Sequence, residues 1–211
     1  MTEIFSFTFN PFQENTYIIA SSDKSCWIID PGCYGAAEQK VLSDFIASKQ
    51  LKPTRLLNTH CHLDHIFGNA FVADTYQLAP EWHPKEDVVM SGAALAAMMY
   101  GVKAPEYRAP GNKLQENAEI LLGGAVFKIL FTPGHSPGSV CFYNAADKYV
   151  IAGDVLFKGS IGRTDLPGGN FDTLIHSIKS QLLTLPDDVV VYNGHGPFTT
   201  IGEERRSNPF F

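Results

Sequence analysis

The sequence predicts a mixed α/β chain of layered β-sheets flanked by helices. Three observations predict it. Runs with strand period and runs with helix period follow one another as strands, helix, strand, helices, strands, helix, strand. The 211 residues fit one domain, with core enough to fold without staples. Apolar residues are 45% and charged residues 18%, an ordinary globular balance that excludes a disordered chain.

Each element has a local reason. Over Ile4–Phe9, Phe5, Phe7 and Phe9 alternate with Ser6 and Thr8, which is strand period, and Asn10-Pro11 breaks the run. Thr16–Ala20 and Cys26–Asp30 are short β-rich runs on either side of the turn-like Ser21-Ser22-Asp23-Lys24. Asp30-Pro31-Gly32 then punctuates the chain. Ala36–Lys49 reads as a helix with Val41, Leu42, Phe45 and Ile46 on one face. Beyond Pro53, Leu56–Leu57 reads as a strand running into Asn58-Thr59-His60, and His65–Tyr76 as a helix. Pro80, Pro84, Pro105 and Pro110 bracket an irregular stretch around an Ala- and Met-rich helix, Val88–Tyr100. Residues 80–118 are read as a helical insertion, a lid or a wall, in which Met98, Met99 and Tyr100 either line a pocket or pack in the core. Ala125–Phe131, Ser139–Tyr143 and Tyr149–Ala152 return to strand, and Lys158–Gly169 is a Gly-rich loop. Phe171, Leu174, Ile175, Ile178 and Leu182 then mark the apolar face of a helix, and Val189–Tyr192 is a buried-type strand.

Composition excludes several function classes. Sixteen basic against twenty-two acidic residues leave a net charge of −6, and Arg205-Arg206 is the only adjacent basic pair, so nucleic acid is not the expected partner. No stretch approaches the ~18 apolar residues of a membrane span. The first twenty residues carry no basic-then-apolar leader, and Cys26, Cys33, Cys61 and Cys141 are scattered with no CxxC. The expectation is a cytoplasmic protein in a reducing compartment.

The seven histidines are placed unevenly. Thr59-His60-Cys61-His62-Leu63-Asp64-His65 packs three imidazoles and a carboxylate just after an apolar strand. At this chain's His and Asp frequencies, an H-x-H-x-D-H match arises by chance about once in a couple of thousand. In an extended or tightly turned loop, His60 and His62 can point to one side while Asp64 and His65 fall further round. Four such groups this close suggest two adjacent metals, and imidazole with carboxylate suits zinc, iron or manganese.

Three later segments share this grammar, each placing one such group beside glycine after an apolar strand: Gly134-His135, Gly153-Asp154 and Gly194-His195-Gly196. Glycine lets the backbone approach closely or take positive φ. Taken singly, each could be a turn or core residue; together with the first cluster they read as ligands. Cys61 reads as the variable position, a small buried hydrophobe rather than a thiolate ligand. His176 falls on the polar face of its helix, and His83 precedes Pro84 in a loop.

These residues resemble the metallo-β-lactamase-fold hydrolases along the whole chain. Asp30-Pro31-Gly32 is similar to the family's early turn, His60–His65 to its signature, His135 and Asp154 to its next ligands, and His195 to its last. The resemblance implies an α+β fold, a four-layer αββα sandwich with metals at one edge, as a single domain over 1–211. It implies one metal on His60, His62 and His135, a second on Asp64, His65 and His195, and Asp154 bridging them. Asp30 would hold the ligand loop from behind, unless it is a simple turn aspartate. Gly153-Asp154-Val155-Leu156-Phe157 and Gly162-Arg163-Thr164-Asp165 look like the glyoxalase II group, closest to its short single-domain bacterial members. Arg163 would then meet the substrate's carboxylate, or else pair with Asp165. The tail Phe198–Phe211 leaves no room for the helical domain that completes a glutathione site in two-domain relatives.

The implied reaction is hydrolysis of a small-molecule thioester of the S-lactoylglutathione type by a metal-bridging hydroxide, with Asp64 and Asp154 as the catalytic carboxylates and two divalent cations, zinc foremost. A thiolate leaves with little need of an acid, since thiol pKa is ~8.5. Persulfide dioxygenases resemble the same group and would hold one iron on His60, His135 and Asp154. Lactone hydrolysis uses the same ligands. β-Lactam hydrolysis and nuclease activity fit less well, because no export signal and no basic track are present, and a non-catalytic metal-binding protein would need a closed coordination shell.

Overall fold

The computed structural model describes residues 1–211. The chain begins with three strands, β1 (Glu3–Phe9), β2 (Glu14–Ala20) and β3 (Ser25–Ile29), then helix α1 (Gly35–Ser48) and strand β4 (Lys52–Leu57). Two short helices follow, α2 (Leu63–Ile66) and α3 (Asn69–Tyr76), then β5 (Pro80–Glu81), a 3-10 turn over Pro84–Glu86, and helix α4 (Asp87–Tyr100). Strands β6 (Glu119–Leu122), β7 (Ala125–Phe131), β8 (Val140–Asn144) and β9 (Tyr149–Gly153) come next, with a ribbon of β10 (Leu156–Phe157) and β11 (Ser160–Ile161). The chain ends with α5 (Phe171–Ser177), a π turn over Ile178–Leu182, β12 (Val190–Asn193), β13 (Thr199–Thr200) and α6 (Ile201–Ser207).

Two sheets form, ordered β1-β2-β3-β4-β5 and β13-β12-β9-β8-β7-β6. Their facing sides share one core, in which Tyr17, Ile19, Trp27 and Ile29 meet Phe127, Ile129, Phe142 and Ile151. The outer face of the first sheet packs Ile18, Ile28 and Leu56 against Leu42 and Ile46 of α1 and Val72 of α3. The outer face of the second packs Leu130, Val150 and Val191 against Leu174, Ile178 and Ile201. Successive residues of one strand thus enter different cores, which is why these strands are apolar on both faces. The order is helix, sheet, sheet, helix: the αββα sandwich.

Several expectations shift in detail. The helix expected over His65–Tyr76 is two helices separated at Gly68. There the backbone presses on the Asp30–Gly32 turn, with the Gly68 amide donating to the Pro31 carbonyl at 2.7 Å, and an added Cβ would overlap Cys33 Sγ. On α1 only Leu42 and Ile46 are buried. Val41 is exposed, and Phe45 covers the edges of Phe5 and Phe7. Phe171 is half-exposed beside Phe210 rather than in the core. Within residues 80–118, Pro80–Glu81 joins the first sheet beside β4. Met98 and Met99 point to solvent, 72% and 78% exposed, because α4 packs through its small residues Ala93 and Ala97. They line neither the core nor the cavity beside the histidine loops, whereas Tyr100 does line that cavity. No helix is long and apolar enough to cross a membrane.

Candidate metal centre

One edge of the sandwich collects the loops that leave the C-terminal ends of β3, β4, β7, β9 and β12. They carry, in turn, Asp30, the His60–His65 segment, His135, Asp154 and His195. Glycines make this convergence possible. Gly153 takes φ 50°, with its Cα against the Thr59 side chain. Gly194 lies where any Cβ would overlap the Asp154 carboxylate and the His65 ring.

The histidines are oriented by their outer nitrogens. His135 Nδ1 lies 2.8 Å from the Arg163 carbonyl, and His195 Nδ1 lies 3.1 Å from the Phe12 carbonyl. A carbonyl only accepts, so both Nδ1 atoms carry a proton and both Nε2 atoms are turned toward the centre. His65 Nδ1 faces the Asp30 carboxylate at 3.0 Å, with the same result. The Thr59 hydroxyl donates to Asp30 at 2.5 Å, so it accepts from His60 Nδ1 at 3.1 Å. Asp30 also accepts from the Thr59 amide at 2.7 Å. It thus ties Thr59 and His65 together from behind the donor atoms.

Lone pairs consequently converge. His135 Nε2 stands 3.2 Å from His60 Nε2 and 2.8 Å from His62 Nδ1. With His60 Nδ1 and His135 Nδ1 protonated, their Nε2 lone pairs face each other at 3.2 Å and repel unless a cation lies between them, so this donor set fits a divalent metal. A second group, Asp64, His65 and His195, also brings its donor atoms within 4.8 Å of one another. Asp154 lies between the groups. Its Oδ1 is 3.4 Å from His65 Nε2, and its Oδ2 is 3.5 Å from His135 Nε2 and 3.4 Å from His195 Nε2. Asp154 Oδ1 and His65 Nε2 are buried and have no hydrogen-bond partner in the protein, the mark of atoms shaped for a further ligand. All seven residues expected at the centre meet there.

The electrostatics divide the site in two. Burial and the neighbouring imidazoles lower the pKa of His60. Burial, with His135 beside it, pushes His62 down to about 3, and burial also lowers His135. In the other half burial opposes charge too, but carboxylates outweigh it: Asp154, Asp64 and Asp30 raise His65, and Asp154 and Asp64 raise His195 to about 9. Burial works against an ionised Asp154, yet His65 and His195 hold it well below the usual carboxylate range.

The remaining residues weighed in the sequence take the following places. Cys61 is buried against Leu63 and Trp82 on the α4 side. His176 is exposed on α5. His83 stacks on Phe131 and accepts from the Lys85 amide, away from the ligands. Arg163 pairs with Asp165 through two bonds of 2.7 Å.

Two buried carboxylates beside the centre are absent from the sequence reading. Glu86 accepts from the Cys61 amide at 2.7 Å, the Ser136 hydroxyl at 2.5 Å and the Gly138 amide at 2.6 Å, joining both histidine loops. Glu14 is fully buried, accepts from Thr16 at 2.9 Å and lies 3.9 Å from His65 Nδ1. Burial pushes its carboxyl well above the usual range. Only the oddity of lone acids in apolar or Pro-bracketed segments could have flagged them. Asn15 and Tyr17 reach the last ligand loop: Asn15 N donates to the Gly194 carbonyl at 2.7 Å and Tyr17 Oη to the Asn193 carbonyl at 2.6 Å.

A cavity of about 650 Å³ opens beside these residues, walled by α4, the α2 segment and the loop after β11.

Residues 9–195 match the family model described as the metallo-beta-lactamase superfamily. The hydroxyacylglutathione hydrolase GloC of Haemophilus influenzae is 41% identical over 202 residues, spanning 94% of this chain and 93% of that protein. The BLEG-1 B3 metallo-beta-lactamase superposes with a TM-score of 0.91 at 36% identity, over 99% of each chain. TTHA1623 in a di-iron-bound form superposes with a TM-score of 0.88 at 39% identity, over 98% of this chain and 100% of that one. Two facing sheets, seven convergent donors and a family match over most of the chain agree: the protein belongs to the metallo-beta-lactamase superfamily, as a metallo-hydrolase of that fold.

Proposed function

We propose that the protein is a binuclear metallohydrolase that cleaves a small-molecule thioester of the S-lactoylglutathione type. The observation that carries this reading is the place of Asp154, whose carboxylate lies between the two donor groups. His60, His62 and His135 would hold one cation, Asp64, His65 and His195 the other, and Asp154 both. Divalent cations bound there supply a water of lowered pKa and a Lewis acid for the carbonyl. Zinc suits this nitrogen and oxygen set, and so does iron, found in the di-iron relative.

The chain's own groups do the rest. Asp154, held ionised, and Asp64, 3.1 Å from His195 Nε2, are the carboxylates that would orient a water at the centre. Asp30, Thr59, the Arg163 carbonyl and the Phe12 carbonyl keep each imidazole in one tautomer. The Arg163 side chain borders the cavity, where the guanidinium N–H groups left over by Asp165 can bind a substrate oxygen. A thiolate leaves without needing an acid, so this reading assigns none. The name of the GloC relative supports the thioester. The likeness to BLEG-1 favours β-lactam hydrolysis as the second reading.

The test is elemental analysis of the purified protein with a panel of thioester, persulfide, lactone and β-lactam substrates. About two transition metals per chain and thioester turnover are expected. One iron with oxygen uptake on a persulfide would overturn the reading, and a β-lactam preference would replace it with the second.

A further inference from the structure

The cavity beside the metal centre has an apolar wall and almost no free charge. Phe12, Val89, Ala96, Tyr100, Phe157 and Leu166 supply carbon surface. Along α4, Gly92, Ala93 and Ala96 face it with a methyl group at most, which leaves the space open. Arg163 is the single lysine or arginine in the lining, and Asp165 occupies its guanidinium through two bonds. Lys85, Lys113 and Lys158 do not line the cavity: Lys158 pairs with Glu203, Lys113 with Asp87, and Lys85 lies over the Phe131 ring.

A tripeptide thiol such as glutathione would bring two carboxylates and an ammonium into this space. A charge moved out of water against carbon needs a partner, and one shared guanidinium cannot serve three charges. A three-carbon hydroxyacyl group at the metals leaves most of a 650 Å³ cavity to be filled by what the sulfur carries. On the thioesterase reading proposed above, we infer that the group carried on the sulfur is apolar and uncharged, an alkyl or arylalkyl thiol seated against the small-residue face of α4. The hydroxyacyl end stays with the metals, Asp154 and Arg163.

The test compares lactoyl thioesters of benzyl mercaptan, N-acetylcysteamine and glutathione on the metal-loaded protein. Each kcat/KM is divided by the rate of the same ester with hydroxide, which removes leaving-group reactivity. The benzyl ester is expected to exceed the glutathione ester by about tenfold or more. Gly92 borders the cavity and a Cβ built on it meets no atom within 4 Å, so Gly92→Leu adds bulk at the cavity wall without overlapping the fold. This variant should keep or raise the melting temperature and cut the benzyl-to-glutathione ratio by about tenfold. Leu166→Ala, in a loop, should lower the same ratio severalfold. Equal or better turnover of the glutathione ester overturns the inference, as does a ratio unmoved in both variants. Preference for S-phenylacetylglutathione over the benzyl lactoyl ester would also overturn it, by placing the apolar group on the acyl side. Calorimetry with thioether analogues, carrying CH2 in place of the carbonyl, separates the two readings. If no thioester is turned over, the thioesterase reading fails. Tighter binding of the benzyl analogue than of the glutathione analogue still supports the apolar subsite, and equal binding overturns it.

Discussion

Glu86 accepts a hydrogen bond from the Cys61 amide at 2.7 Å, tying the start of the cavity wall to the middle of the His60–His62 loop. The same carboxylate takes the Ser136 hydroxyl and the Gly138 amide beside His135. Glu86→Ala leaves three buried donors unpaired, each costing about 1–3 kcal/mol. The expected outcome is a lower melting temperature and a metal affinity reduced about ten- to a hundredfold, read by competition with a chelator. Glu86→Gln, whose amide must turn one N–H toward a donor, should fall between. Unchanged affinity in both variants would make Glu86 a packing residue alone.

His62→Ala and Asp154→Ala each remove a group on which lone pairs converge. Both should abolish hydrolysis and lower the metal content per chain while circular dichroism stays native. Asp154→Ala should lose more metal than His62→Ala, because it touches both donor groups. Retained turnover in either variant would refute the assignment of the centre.

Gly194→Ala is expected to be as damaging as loss of a ligand. The added methyl overlaps the Asp154 carboxylate and the His65 ring, neither of which has room to move. Gly196→Ala, where a Cβ meets nothing within 4 Å, is the control; its φ of 71° predicts only a modest loss of stability. Thermal unfolding and metal analysis of the pair separate the two effects.

Arg163→Ala keeps the backbone carbonyl that orients His135 and removes only the guanidinium. The expected result is a KM several times higher at a preserved kcat. An unchanged KM would return the side chain to its pairing with Asp165.

The four cysteines are free and buried. Burial pushes the thiols of Cys26, Cys33 and Cys141 up to about 12. A raised pKa keeps a thiol protonated through the neutral range, and the thiolate is the reactive form. At pH 8 the native protein should therefore resist a disulfide reagent, and all four should react in denaturant. Rapid labelling of the native protein would contradict this.

The order of strands and helices was readable because each outer-face residue alternates with a core residue along the strands, as Ile18 and Ile28 do with Tyr17 and Ile29. The seven donors were readable because each follows an apolar strand and four belong to one short run. Three kinds of feature were not. The division at Gly68 depends on contact with Pro31, far away in sequence. The orientation of α4 could not be read from period, since Val88–Tyr100 is apolar on every side and only close packing through Ala93 and Ala97 turns Met98 and Met99 outward. Glu14 and Glu86 carry their meaning in partners 25 to 52 positions distant, which no local pattern records.

The bonds from Asn15 and Tyr17 to the loop that carries His195 join the first ligand-bearing half of the chain to its last donor. A chain made from its N-terminus offers His60, His62 and His135 long before His195 exists. It then waits for its last central strand, β12, to dock beside β9 and reach back to β2. On the binuclear reading, the side of the centre that needs His195 is therefore completed only with the finished fold.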